Sequence, residues 1–143
     1  MNSSPSDGRK RDERRLMIEA VIDSSVVLAA IYGEPGGEKA AAVLAPSLLS
    51  TVNLSEVVAK LAGRGSSWSQ IEPIVNGLTC RIVDFTQAQA EVAGMLRFTT
   101  MKAGLSFGER ACLALAIQSR LPVWTADRAW SGLELGVDVR LIR

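Results

Sequence analysis

"IEAVIDSSVVLAAIY", residues 18–32, joins a short apolar run to a longer one at a single acidic residue, Asp23. Its first six residues suit a buried strand, because the run is short, mostly apolar and closed by a polar side chain. From Ser24 to Tyr32 the sequence predicts a helix, which the following "GEPGG" (33–37) stops. A buried strand followed at once by a helix is the repeating unit of an α/β fold.

The same alternation continues along the rest of the chain. Further strands are predicted at 47–50, 80–85, 122–127 and 137–142. Helices are predicted at 37–44, 51–63, 68–78, 86–101, 106–116 and 128–134. The helix over 68–78 contains Pro73, which suits a helix only in the first turn. We therefore expect an α/β fold, a three-layer sandwich in which a central, mostly parallel sheet is flanked by helices on both faces.

The net charge of +1 is unevenly distributed. Residues 1–17 are polar, carry five Lys/Arg and three acids and lack periodicity, so they are predicted to be a disordered N-terminal tail or an upstream extension. The remaining 18–143 suit one domain with a hydrophobic core and hold 11 basic and 12 acidic residues. This balance excludes a generally basic nucleic-acid binder, so a polyanion would need a local patch or a metal.

The cysteine and histidine content narrows the chemistry further. The two cysteines, Cys80 and Cys112, lie outside any CxxC motif, which predicts a reducing, cytoplasmic compartment rather than a disulfide framework or zinc site. Histidine is absent, so Ser-His and Cys-His pairs are excluded and acid–base or metal chemistry must use carboxylates. No apolar run approaches the roughly 20 residues that span a bilayer, and no membrane association is expected.

Four carboxylates are predicted to meet at one edge of the sheet. Asp23 and Asp127 close apolar strands, and ligands of open parallel sheets bind outside the carboxyl ends of the strands. Glu56 and Glu109 lie near the starts of helices that begin at the same edge. Clustered carboxylates repel one another unless a cation neutralises them, and Mg²⁺ prefers oxygen ligands. The set therefore favours a Mg²⁺ site that activates water against a phosphodiester.

Each acid also has a structural alternative as part of a helix cap. Ser106 and Glu109 form the pattern of a capping box, and either predicted strand-end acid could cap the helix that follows it. Asn53 and Glu56 have the same spacing as a cap. Because caps are common, no single acid decides between the two interpretations.

Four blocks resemble the PIN-domain ribonucleases, especially the VapC-type toxins of type II toxin–antitoxin systems. They are "VIDSSVVLA" (21–29), "VNLSEVVAKL" (52–61), "LSFGERACLALA" (105–116) and "VWTADRAW" (123–130). The resemblance covers nearly all of 18–143 and implies a PIN-like nuclease domain. It also implies an endoribonuclease that hydrolyses RNA phosphodiester bonds with Mg²⁺, or with Mn²⁺, and acts as the toxin of such a pair.

The resemblance also implies roles for particular residues. By block, the four catalytic acids are Asp23, Glu56, Glu109 and Asp127. Asp23 and Glu109 are implied as direct metal ligands, and the other two act more through water. Thr125 and Ser24 are implied to support the site. The family usually has aspartate in the block L-S-x-G-D-R, so Glu109 places its carboxylate about one bond length further out, where Mg²⁺ tolerates little error.

Partners and rival functions complete the set of expectations. The resemblance implies an RNA substrate, a cognate antitoxin protein and a homodimer, with Arg110, Arg128 and Lys60 as candidate RNA contacts. Trp124 and Trp130 are expected to be packing residues. One alternative is a PIN-like RNA- or protein-binding module whose catalysis is weakened by Glu109. Another is phosphate transfer through an aspartyl nucleophile, but no second acid stands two residues after Asp23.

Overall fold

A five-stranded sheet in which every neighbouring pair is parallel forms the centre of the computed structural model. The structure describes residues 17–143, so the predicted N-terminal tail lies outside the described residues except for Met17. The strands are β1 (Ala20–Ile22), β2 (Ser47–Ser50), β3 (Arg81–Val83), β4 (Val123–Thr125) and β5 (Val139–Leu141). Across the sheet they follow the order β3-β2-β1-β4-β5.

In the described part of the chain, six α-helices and one 3₁₀ turn accompany these strands. Most of the helices begin at a polar residue whose side chain accepts a backbone N–H, which is the usual way to satisfy the first turn. The helices are α1 (Ser24–Tyr32), α2 (Gly37–Leu44), α3 (Thr51–Gly63), α4 (Trp68–Asn76), α5 (Gln87–Thr100) and α6 (Phe107–Ser119). The 3₁₀ turn covers Arg128–Trp130.

The two faces of the sheet are covered by different helices. Successive strand residues point to opposite faces, so Ile22 and Leu49 pack with α1 to α4, whereas Val21 and Leu48 pack with α5 and α6. Both sets of strand residues are buried. The predicted three-layer α/β sandwich is therefore confirmed, and its sheet is entirely parallel where the sequence predicted a mostly parallel one.

Several local predictions need correction. The predicted helix at 128–134 is only the 3₁₀ turn Arg128–Trp130. Pro73 lies in the second turn of α4, not in the first. Trp124 is only half-buried, because it lies near the edge of the sheet, where Lys39 and Arg140 lie over its ring at 5.0 and 5.8 Å from the centroid. No helix among residues 17–143 is long and apolar enough to cross a membrane.

The direction of the chain across the sheet reverses between β1 and β4. After β1 the chain adds β2 and β3 on one side, and it then crosses over to add β4 and β5 on the other. The connections that leave β1 and β4 diverge at this point, and in open parallel sheets the ligand-binding crevice is expected beyond the carboxyl ends of two such strands. Asp23 and Asp127 follow those two ends.

Candidate active site

Asp23 directly follows the carboxyl end of β1 and is almost fully buried, with 4% of its surface exposed. It is the N-cap of α1, and its Oδ1 accepts the backbone N–H of Val26 at 3.2 Å and the hydroxyl of Ser25 at 2.5 Å. Its Oδ2 accepts the hydroxyl of Thr125 at 2.7 Å. Burial raises the pKa of Asp23 from 3.8 to about 6, the charge of Glu109 adds to this, and the three hydrogen bonds oppose it.

Glu56 projects from the second turn of α3 and is held by polar side chains from two segments. Its Oε1 accepts the amide of Asn53 at 2.8 Å and the hydroxyl of Ser24 at 3.2 Å. The alternative in which Asn53 caps the helix is wrong, because α3 begins at Thr51 and its N-cap is Ser50, whose Oγ accepts the N–H of Val52. Asn53 is instead a buried bridge between two carboxyl-bearing helices, since its amide also donates to the carbonyl of Gly108 at 2.9 Å.

Gly108 allows Glu56 to approach the start of α6. A Cβ at position 108 would overlap the carboxylate of Glu56. The glycine of "SFGE" is therefore needed for close approach rather than for an unusual backbone angle. The sequence carried this signal as a glycine in the first turn of an apolar helix, where glycine is otherwise unfavourable.

Glu109 is bound at both carboxylate oxygens. The predicted capping box is present, with the N–H of Glu109 donating to Ser106 Oγ at 3.2 Å and the N–H of Ser106 donating to Glu109 Oε1 at 3.3 Å. Glu109 Oε2 accepts the indole N–H of Trp130 at 2.6 Å. Trp130 is fully buried, as its predicted packing role requires, but its polar atom contacts a candidate site residue.

Asp23, Glu56 and Glu109, called the acid cluster below, all act electrostatically on one buried thiol. Cys112 is completely buried, and burial raises its pKa well above the ordinary value. The negative charges of Asp23, Glu56 and Glu109 each raise it further. Among residues 17–143, none of these three acids forms an ion pair with lysine or arginine. Three of the four predicted acids thus act on the same thiol, and none of them is paired with a lysine or arginine from the described part of the chain.

Asp127 is exposed and is linked to this cluster through Thr125. Its carboxylate caps the 3₁₀ turn by accepting the N–H of Ala129 at 2.9 Å. Its own N–H donates to Thr125 Oγ1 at 3.1 Å, and the same hydroxyl donates to Asp23. Ser25 makes a second connection of this kind, because it bonds both Asp23 and the N–H of Ala126 at 3.0 Å. Ser25 was not predicted as a site residue from the sequence.

The three candidate RNA contacts lie in different surroundings. Arg110 is half-buried and donates to the carbonyl of Ala93 in α5 at 2.8 Å. This bond fastens α6 to α5 and directs part of the guanidinium away from solvent. Lys60 is exposed one helical turn beyond Glu56, and Arg128 is exposed at the start of the 3₁₀ turn.

An open cleft of about 620 Å³ borders the acid cluster. The starts of α3 and α6 form its walls, and its lining includes Glu56, Gly108, Ser106 and Phe107. Phe107 is about half exposed and packs edge-on against Phe85, with ring centroids 5.6 Å apart. The cleft gives a solvent-borne substrate access to Glu56.

The donor set suits a hard divalent cation that keeps most of its waters. Within residues 17–143, no group of three or more His, Cys, Asp or Glu side chains is arranged to hold a metal ion together. Mg²⁺ is usually bound by only one or two carboxylates plus water, so a complete protein cage is not required. Three uncompensated acids that supply only oxygen ligands fit that requirement.

Comparison with known families agrees with this fold. A sequence model of the PIN domain matches residues 20–134. This match includes every strand except β5 and all four candidate acids. The chain therefore belongs to the PIN domain family.

Solved structures with a similar fold include a toxin–antitoxin complex and two VapBC proteins bound to DNA. A toxin–antitoxin complex from Klebsiella pneumoniae aligns with a TM-score of 0.66 and 19% identity over 87% of this chain and 98% of that one. DNA-bound VapBC from Salmonella typhimurium aligns with a TM-score of 0.69 and 15% identity over 89% of this chain and 100% of that one. VapBC2 from Rickettsia felis, bound to a promoter DNA fragment, aligns with a TM-score of 0.66 and 16% identity over 87% of this chain and 98% of that one. A search of curated proteins found no significant match.

Proposed function

We propose that this PIN-domain protein is a metal-dependent endoribonuclease and the toxin of a type II toxin–antitoxin pair. The observation that carries the proposal is the acid cluster of Asp23, Glu56 and Glu109. All three charges act on the same buried thiol, and no described lysine or arginine pairs with them. Such a cluster is costly in a stable fold, and binding a divalent cation would remove that cost.

Asp23 and Glu109 are the proposed ligands of Mg²⁺ or Mn²⁺. A bound cation of this kind would lower the pKa of a water ligand and stabilise the charge that develops on a phosphodiester. Ser25 and Thr125 donate hydrogen bonds to Asp23, whereas Ser106 and Trp130 donate hydrogen bonds to Glu109. These hydrogen bonds fix the two carboxylates before a cation arrives, which limits the reorganisation that binding requires.

Glu56 is the proposed acceptor of the proton from the attacking water. It borders the open cleft, and only its Oε1 accepts hydrogen bonds from the described side chains. Oε2 is therefore available to a water molecule in the cleft. Asp127 is exposed on the other side of Thr125, and we propose that it acts through water as well.

The direct test is metal-dependent cleavage of RNA by the purified protein. Single-stranded and structured RNAs are incubated with Mg²⁺ or Mn²⁺, and we expect cleavage that EDTA abolishes. Glu56→Gln and Glu109→Gln should each reduce the rate by at least about 100-fold, the scale on which a positioned proton acceptor contributes. Glu72→Gln, at an exposed position of α4, is the matched control and should cleave like the parent. Cleavage that persists in EDTA would exclude the metal mechanism.

A binding module without catalysis is the second candidate. It is favoured by the two hydrogen bonds that already engage both oxygens of Glu109. Titration with Mn²⁺ separates the two functions, because a module that has lost the site binds RNA or protein but no cation. Saturable Mn²⁺ binding without RNA cleavage would point to an unidentified substrate instead of a lost site.

Partners are proposed from the fold and from the exposed surface. Apolar side chains are exposed on α5 and just after it, with 78% of Met95, 82% of Phe98 and 60% of Met101 accessible. A patch of this kind on a small domain favours protein contacts, and we propose that a second copy or the cognate antitoxin covers it. Co-expression with an adjacent small open reading frame should give a stable, inactive complex. The two free, buried thiols fit the proposed cytoplasmic location.

A further inference from the structure

We infer that Trp130 is a positioning residue for Glu109, so that the two residues form a matched pair in the metal site. The inference rests on the proposed metal-dependent function and deepens it. Trp130 ends the 3₁₀ turn, and its indole N–H donates to Glu109 Oε2 at 2.6 Å.

The burial of the indole is the first observation that supports this role. Trp130 has no exposed surface, and a buried indole N–H needs an acceptor because it cannot reach water. Packing alone would be served by phenylalanine, which has no polar atom to satisfy. The acceptor found here is a half-buried carboxylate of the site rather than a backbone carbonyl.

The conformational freedom of the glutamate side chain is the second observation that supports a positioning role for Trp130. Glu109 has three side-chain torsions, and its other hydrogen bond, from the N–H of Ser106, is long at 3.3 Å. The short bond from Trp130 is therefore the main restraint on where the carboxylate lies. Partners that orient a metal-binding carboxylate commonly change metal affinity about 10- to 100-fold when they are removed.

The length of the glutamate side chain is the third observation that supports a positioning role for Trp130. An aspartate at position 109 would withdraw the carboxylate by about 1.5 Å, the length of one C–C bond, and leave the indole without its acceptor. The additional methylene of Glu109 is what lets one carboxylate serve both the start of α6 and Trp130.

The contact itself is tested by NMR of the indole N–H groups. The chain contains three tryptophans, and Trp68→Phe and Trp124→Phe assign the Trp130 signal by elimination. Glu109→Asp should move the Trp130 resonance strongly and leave those of the other two in place. Titration of the parent with Mg²⁺ should move it saturably, and this measurement needs no substitution at Trp130. A Trp130 resonance that ignores Glu109→Asp would overturn the inference.

The functional test is Mn²⁺ affinity measured by calorimetry in a double-mutant cycle. Trp130→Phe should weaken Mn²⁺ binding about 10- to 100-fold, whereas Trp68→Phe, at an exposed position, should not change it. In the Glu109→Asp background, Trp130→Phe should have no further effect, because the pair is already broken.

The outcomes separate this inference from the proposed function. If the parent binds Mn²⁺ and Trp130→Phe binds it equally well, the positioning role is refuted and the proposed function stands. The same holds if Trp130→Phe weakens binding by the same factor in the parent and in the Glu109→Asp background. If the folded parent binds no Mn²⁺ at all, the proposed function fails, and the positioning role fails with it.

Discussion

Replacing Asp23 by asparagine should stabilise the metal-free protein at neutral pH while abolishing its metal binding. Asparagine is as good an N-cap as aspartate, so Asp23→Asn keeps the start of α1 intact. Its side-chain oxygen can still accept the N–H of Val26 and the hydroxyl of Ser25, which bond Oδ1 in the parent. The amide nitrogen that takes the place of Oδ2 cannot accept the Thr125 hydroxyl and must donate to it instead, so the substitution removes the buried negative charge and reverses one hydrogen bond.

The size of the effect follows from the pKa of Asp23, which burial raises from 3.8 to about 6. The folded state binds this proton more tightly than the unfolded chain does, so the parent is most stable below the unfolded pKa. Its free energy of unfolding falls as the pH rises from about 4 to about 6 and is then level. A shift of about two pKa units corresponds to about 3 kcal/mol. Asp23→Asn lacks this loss, so its advantage over the parent should grow by up to that amount across this interval.

The assay is urea unfolding in EDTA at several pH values between about 4 and 7, with the free energy of unfolding compared at equal m-values. Asp127→Asn, at an exposed position of the same sheet edge, is the control and should keep the pH dependence of the parent. Saturating Mn²⁺ should stabilise the parent and not Asp23→Asn, because only a folded site that binds the cation gains from it. If the difference in free energy of unfolding between Asp23→Asn and the parent stays constant with pH, the reasoning is refuted.

Two further predictions concern Gly108 and Arg110. Gly108→Ala adds a Cβ that must displace the carboxylate of Glu56, so we expect slower RNA cleavage in a folded protein. The control is Gly94→Ala, at a helix position with open space around it. This control should gain up to about 1 kcal/mol of stability and cleave RNA at the rate of the parent. Equal cleavage by both variants would contradict the close approach. Arg110→Gln removes the hydrogen bond to the Ala93 carbonyl in α5 and should lower the free energy of unfolding by about 1–3 kcal/mol in the same urea assay. The control is Arg128→Gln, at an exposed position, which should change the free energy of unfolding by less than about 0.5 kcal/mol. Equal effects would show that the Arg110 contact is not structural.

The sequence predicted what depends on neighbouring residues. The strand–helix alternation, the start of α1 at Ser24 and the capping box of Ser106 and Glu109 are all encoded within a few positions. Asp23 could be placed at the crevice because the carboxyl ends of parallel strands share an edge. These predictions rest on local propensity and on one rule of topology.

The parts that the sequence left open depend on contacts between distant segments. Asn53 has the spacing of a cap to Glu56, yet its amide bonds a carbonyl 55 positions away. Trp130 has the character of a packing residue, and only the folded chain shows that its one polar atom bonds Glu109. No periodicity or local propensity encodes such pairings.

The cap and the metal ligand were alternatives for each acid in the sequence, and the structure shows why they need not compete. Asp23 and Glu109 each use part of their carboxylate to accept a nearby backbone N–H. Those bonds hold mutually repelling acids together in the absence of a described basic partner. A carboxylate oxygen has two lone pairs, so Oδ1 of Asp23 is filled by Val26 and Ser25. Oδ2 of Asp23 and each oxygen of Glu109 accept one described hydrogen bond and keep a lone pair for a cation or its water. The cap is therefore a means by which an uncompensated acid can be kept at the site before the metal binds.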